Sequence, residues 1–428
     1  MSSMIFPRSL TFVFWMLFWL LGSSALQARP ETLQGTVMCG YQGWFAAEGD
    51  GMGIGWQHYG FGRAGECHID LWPDVAGFGE DELFATPLKF PDGKPAKVFS
   101  SAHPRTVQRH FEWMREHAID GVFLQRFGVS VRGGNRRSLV DTVLENVRTS
   151  AAATGRSWAV MYDLSGLKAG DIARVVIPDW KRLREELKVT ADPTYQHHGG
   201  KPVVAVWGIG FNDDRAYSLD ECAALLAFLQ QESGGACVMA GVPFGWRTLE
   251  RDSIRDPRLL EVLGKSADII SPWSVGRYGN MEDARRQIAE IHAGDAEWCR
   301  SRGKSYLPVI FPGFSWSNLM RSRGKEVQLN SIPRQQGRFY WEQAAARIRA
   351  GAEMLYIAMF DEMDEGTAIF KCAGTVPAGT LPFATFEGMP TDHYLWLTCQ
   401  MRRALRREVN PTDAVPVREA DRSGKAGN

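Results

Sequence analysis

Short apolar runs recur along the chain, and few of them alternate with polar residues. They fall at 36–41 (TVMCGY), 121–127 (GVFLQRF), 158–163 (WAVMYD), 202–207 (PVVAVW), 237–242, 267–272 (ADIISP), 306–311 (YLPVIF) and 354–360 (MLYIAMF). A run without alternation is what a strand buried on both faces requires, as in a parallel sheet covered by helices. Between the runs lie stretches with helical spacing, at 105–117, 137–153, 178–187, 218–231, 257–263, 281–302, 336–350 and 393–407. Ser218 followed by Glu221 reads as a capping box that starts one of them.

Strand–helix repetition of this kind predicts an α/β chain folded as a (β/α)8 TIM barrel, with an open doubly wound sheet as the second choice. The barrel ranks first because no dinucleotide-binding fingerprint follows any strand. A brief strand at 98–101 is set aside from the eight. The first strand leads into a long irregular insertion, reaching about residue 92. Its glycine-rich part, 49–56 (GDGMGIGW), lacks the Lys and the helix that a phosphate loop needs. No linker or repeat divides the chain, so one domain is expected over 30–409, with a polar tail at 410–428.

The N-terminus adds a targeting feature. Arg8 precedes an apolar core at 10–21, and Ser23, Ser24 and Ala25 offer small residues for cleavage. The core is too short to span a bilayer, which takes roughly 20 residues, so 1–25 reads as a cleaved secretory signal. The expected location is secreted or periplasmic, without stable membrane insertion. The 49 basic and 49 acidic residues balance, which removes the electrostatic case for a nucleic-acid partner. Seven Cys form no C-x-x-C pair and read as small buried residues rather than zinc ligands or a redox motif.

A barrel reading directs attention to the residues just after each strand, where such folds carry their chemistry. The last run ends in four carboxylates, Asp361, Glu362, Asp364 and Glu365, with Lys371 as a nearby cation. Two carboxylates are what glycoside hydrolysis uses, and crowding lets one stay protonated beside an ionised neighbour. The other strand ends carry Tyr41, Trp44, Arg126, Tyr162, Asp163, Trp207, Trp246, Trp273, Tyr278 and Trp316. Flat rings interleaved with planar polar groups suit a sugar, with its apolar C–H faces and hydroxyl edges. These residues, together with Asp361 and Asp364, are the expected contacts of an oligosaccharide or polysaccharide substrate. Arg126 is also a candidate to pair with an acid of the cluster. Asp163 reads equally as a substrate contact or as a cap for the next segment.

The stretch FDEMDEGTAI resembles the F/Y-N-E-W-H-E-G-T-x-I signature of glycoside hydrolase family 99, the endo-α-mannosidases. GYQGWF after the first strand is similar to that group's Y-x-x-W-Y/F motif, and residues 35–407 resemble secreted bacterial family 99-like (71/99-like) proteins. The resemblance implies a (β/α)8 glycosidase acting on α-linked glycans with retention and no cofactor. It implies that Glu362 assists attack of the substrate's own 2-hydroxyl, through a 1,2-anhydro sugar, and that Glu365 is the acid/base. The chain departs from the signature at Asp361 (Asn), Met363 (Trp) and Asp364 (His), and these departures leave the sugar open.

Two other readings compete. One is a metal-dependent hydrolase using the acidic cluster, or a site formed by His58, His68 and Asp70; the nine His show no H-x-x-x-H spacing. The other is a sugar-binding barrel without catalysis.

Overall fold

The computed structural model describes residues 30–63, 65–232 and 234–418. The expected signal, 1–25, and the end of the polar tail lie outside these. Eight parallel strands follow in chain order: β1 (Val37–Tyr41), β2 (Gly121–Phe127), β3 (Ser157–Asp163), β4 (Lys201–Trp207), β5 (Cys237–Val242) and β6 (Ile269–Pro272) come first. β7 is split into Ser305–Tyr306 and Val309–Ile310, and β8 is Leu355–Ile357. Each strand pairs with its neighbour in sequence, and β1 also pairs with β8.

The barrel closes through β7. Its first half pairs with β6 and its second half with β8. Leu307 N–H donates to Ile270 O at 2.9 Å, and Pro308 O accepts from Tyr356 N–H at 3.1 Å. Pro308 lacks an N–H, so the ladder breaks inside the expected run and resumes on the other side.

Around the sheet run α1 (Pro104–Glu116), α2 (Gly134–Thr154), α3 (Ile177–Lys181, flanked by wide π-type turns), α4 (Leu219–Ala227), α5 (Arg258–Ser266), α6 (Met281–Arg300), α7 (Arg338–Arg349) and α8 (His393–Leu405). α1 buries Val107, His110, Phe111 and Met114, the stripe that a 3.6-residue period places on one face. α4 starts with the expected box: Ser218 Oγ accepts from Glu221 N–H at 3.2 Å, and Glu221 Oε2 accepts from Ser218 N–H at 2.9 Å. Among the described residues no helix is long and apolar enough to cross a membrane.

Side chains alternate across each strand with period two. Gln125 faces the barrel interior, where its Nε2 donates to Tyr356 Oη at 3.1 Å. Gly40 faces inward as well; a Cβ there would collide with Met359 and Tyr356. The adjacent residues face the helices. Tyr41 Oη bonds His110 Nδ1 at 2.9 Å. Arg126 Nε donates to Asp179 Oδ2 at 2.5 Å and its Nη2 to Asp141 Oδ1 at 2.6 Å, while Tyr162 Oη donates to Asp179 Oδ2 at 2.8 Å. All three side chains are buried in the layer between strands and helices.

Between β1 and α1 sits the expected insertion. The strand anticipated at 98–101 is the second arm of an antiparallel hairpin, Leu83–Lys89 with Pro95–Phe99. Asp70 anchors the insertion over the barrel mouth. Its carboxylate accepts from Ser315 Oγ at 2.5 Å and from the N–H groups of Ser317 and Asn318 at 2.7 and 2.8 Å. Those donors begin a short helix, Ser317–Ser322, after β7. His68 pairs with Glu66 at 3.3 Å and His58 with Asp364 at 2.9 Å, so His58, His68 and Asp70 do not converge as one site. All seven cysteines are unpaired, and all but half-buried Cys399 are buried.

Candidate active site

β8 runs Leu355–Ile357 and delivers Asp361–Glu365 to the C-terminal mouth of the barrel, beside the exit of β1. Asp361 ties the two exits together. Its Oδ1 accepts from Gln42 N–H at 2.7 Å and its Oδ2 from Gly43 N–H at 2.8 Å. Burial pushes its carboxyl up to about 7, against the pull of those two donors. It is wholly buried and acts on the backbone, not on the mouth.

Glu362 lies deeper than Glu365. Gln42 Nε2 donates to its Oε1 at 2.6 Å and Thr367 Oγ1 to its Oε2 at 2.5 Å. Glu365 is half-buried, and its carboxylate takes no hydrogen bond from the described residues. The turn that carries them closes at Gly366, φ +60°, where a Cβ would meet Ser315 Cβ and O at 2.8 Å. That closeness is used: Ser315 N–H donates to Glu365 O at 3.0 Å and fixes the turn.

Burial, then Glu365 and Asp364, raise the Glu362 carboxyl well above its ordinary range. Burial, then Asp364, pushes Glu365 up to about 7, with Arg323 pulling the other way. Two crowded carboxyls of this kind share a proton near neutrality. The two donors on Glu362 favour its charged form, against burial and the charges of Glu365 and Asp364, and Glu365 has no such donor. The arrangement can therefore present a base and an acid together.

Asp163, at the end of β3, joins the group. It accepts from Ser165 N–H at 2.7 Å, so it caps its own loop, and it also acts on Glu365 electrostatically. Burial pushes its carboxyl up to about 6. Trp44 stacks on His58 at 3.8 Å and 5°. Trp207 and Trp273 meet edge to face at 5.5 Å, and Trp273 lies 6.4 Å from Tyr356 in the barrel interior. Trp316 is half-buried next to Ser315, against Phe314.

Other expected contacts go elsewhere. Tyr41, Arg126 and Tyr162 face α1 and the α2–α3 layer, and Arg126 serves Asp179 and Asp141 instead of the acidic cluster. Trp246 Nε1 donates to Asp295 Oδ2 at 3.1 Å, and Tyr278 Oη donates to Gln343 Oε1 at 2.9 Å, both buried. Lys371 lies over the Trp113 ring at 5.0 Å rather than on the acids. Gln42, a strand-end residue, and His58, a candidate metal ligand, are partners of the acids that the expected sugar contacts do not include. Gln42 follows β1 directly, where inward residues are sought, but His58 lies 306 positions from Asp364 and gives no local signal. A cavity of about 320 Å³ at the opposite end of the barrel, by Asp120, Arg156 and Arg402, lies away from these acids.

The closed parallel barrel is a fold shared with solved glycoside hydrolases. The chain shares its fold with the family 99 endo-α-mannosidase of Bacteroides thetaiotaomicron, solved with bis-tris propane. That match has a TM-score of 0.62 at 14% identity and covers 88% of this chain and 99% of that one. A second structure of that enzyme gives a TM-score of 0.60 at the same identity and coverage. A glycoside hydrolase-like protein gives 0.50 at 12% identity, covering 76% of this chain and 91% of the other. No protein-family model and no curated protein matches the sequence. The family 99 resemblance of the motifs is thus matched at the level of the fold.

Proposed function

We propose that the protein is a retaining glycosidase acting on α-linked glycans, with Glu362 as base and Glu365 as general acid/base. The observation that carries this reading is the unequal acid pair: Glu362 buried and held by two donors, Glu365 half-buried without one and raised to about 7. In the first step the Glu362 carboxylate takes the proton of the sugar's 2-hydroxyl. O2 attacks C1, the glycosidic C1–O bond breaks, and Glu365 gives its proton to the leaving oxygen. The product is a 1,2-anhydro sugar. In the second step Glu365 takes a proton from water, which attacks C1. The C1–O2 bond opens and O2 recovers its proton from Glu362. Two inversions at C1 give retention, with no covalent bond to the enzyme. General acid/base help of this sort contributes typically about 10²–10⁴-fold.

Support comes from the surviving glutamates of the FDEMDEGTAI motif and from the shared fold of an endo-α-mannosidase. Trp44, Trp207, Trp273 and Trp316 are the proposed sugar-facing rings. Export to the periplasm or beyond is proposed from residues 1–25.

The test is a screen of α-linked mannosides, whose O2 lies trans to the leaving group as attack on C1 requires, with the 1,2-cis α-glucosides and α-galactosides as the contrast that this mechanism does not cleave, and NMR of the first product anomer and of a synthetic 1,2-anhydro sugar. The expected result is a retained anomer, turnover of the anhydro sugar, and loss of activity in Glu365→Gln. An inverted anomer, or unchanged turnover in Glu365→Gln, sinks the assignment.

A further inference from the structure

His58 is not part of the acid pair, yet the fold invests in it. It comes from the insertion after β1 and reaches the turn after β8, where its Nδ1 lies 2.9 Å from Asp364 Oδ2. Its ring lies flat on Trp44, with centroids 3.8 Å apart and planes at 5°. Its backbone holds φ at +63°, a left-handed conformation that a non-glycine residue adopts at some energetic cost. The Asp364 side chain is 4% exposed and the His58 side chain 30%. Two ring constraints are thus satisfied, by Asp364 and by Trp44, and one edge remains open to solvent at the mouth.

A carboxylate on Nδ1 fixes the tautomer of a neutral imidazole: the proton sits on Nδ1 and the lone pair on Nε2. Asp364 also adjoins Glu362 and Glu365, since it acts on both carboxyls. The imidazole is therefore held beside the acid pair with a single acceptor, Nε2, left to offer. An oriented acceptor beside a half-buried indole suits one hydroxyl of a pyranose ring bound at the mouth.

We propose that His58 is a substrate-binding residue whose Nε2 accepts a hydrogen bond from a hydroxyl of the bound sugar, with Asp364 and Trp44 as its positioning residues. This rests on the glycan-site reading above and makes the insertion part of the specificity apparatus. A purely structural His58 would only tie the insertion to the β8 turn.

The test uses the full chain carrying Glu365→Gln, so that ligand is not consumed. Diethyl pyrocarbonate labels accessible imidazole nitrogens, and peptide mass mapping reports His58 separately from the other histidines. The probes are α-linked mannobioses, glucobioses and galactobioses. Labelling of His58, and protection by at least one of these sugars, is the expected result. An unlabelled His58, or one that no sugar protects, overturns the proposal. Protection without turnover by the wild-type chain overturns the hydrolase reading alone. His58→Asn keeps a donor for Asp364 and tolerates the left-handed backbone, but lacks Nε2. It is expected to weaken affinity for the protecting sugar about tenfold, the scale of one hydrogen bond to a ligand. Unchanged affinity in that variant, with the fold intact by circular dichroism, would leave only the structural role.

Discussion

Gln42 Nε2 donates to Glu362 Oε1 at 2.6 Å, joining a residue just past the first strand to the acid just past the last. That bond stabilises the charged form of Glu362 against burial and against Glu365. Removing it raises the Glu362 carboxyl further. Gln42→Ala is therefore expected to shift the acidic limb of the pH–kcat/KM profile to higher pH and to lower kcat at neutrality by about tenfold or more. An unmoved acidic limb would separate Gln42 from the chemistry.

Glu365 must be protonated to release the leaving group, and its carboxyl sits at about 7. kcat/KM is expected to fall as pH rises through about that value. In Glu365→Gln the alkaline limb should vanish, with kcat lower by on the order of 10²–10⁴-fold on unactivated glycosides. A mutant that keeps the limb would assign it to another group.

The same acids make stability depend on pH. Burial pushes Asp163 up to about 6 and Asp361 and Glu365 up to about 7. Unfolded carboxyls titrate at about 4, so between there and about 7 the folded chain holds more protons than the unfolded one. Stability contributed by these groups is therefore greatest at the acid end and falls as pH rises through about 6–7. Glu365→Gln should gain Tm over wild type on the order of 1–3 °C more at pH 8 than at pH 5. Equal differences at the two pH values would contradict the raised carboxyl.

Asp361 accepts two backbone N–H groups in a buried setting. Asp361→Ala orphans both, and each buried unpaired donor costs about 1–3 kcal/mol, so the loss should be about 2–6 kcal/mol. Denaturant unfolding checks it; a smaller effect would mean that the loop after β1 finds other acceptors.

Arg126 gives a contrasting case. Its side chain is 2% exposed against 1% for Asp179. Arg126→Ala leaves Asp179 buried without its main partner and is expected to destabilise by about 3–5 kcal/mol. KM for the cleaved glycan should stay near wild type in whatever fraction folds. A raised KM at normal stability would return Arg126 to the sugar.

These contrasts show where sequence reading reaches its limit. The eight runs and the helices between them are legible because strands buried on both faces leave unbroken apolar segments. That property also erases the period-two signal that tells inside from outside. Tyr41 and Gln42, or Gln125 and Arg126, are indistinguishable neighbours at a strand end, yet one of each pair faces inward and the other faces helices. The acid turn was legible from charge and motif alone. The split of β7 follows from Pro308, although the pattern around it reads as one strand. His58 was out of reach because the distance to Asp364 is closed only by the folded insertion.

The closing pair, β1 against β8, has a consequence for biosynthesis. Glu362 gains its Gln42 partner and Asp361 its clamp only when the two ends of the barrel meet. A chain emerging from the ribosome holds Gln42 and Trp44 early and the acids very late. No partial product therefore has a competent acid pair, and function should switch on in one step with barrel closure.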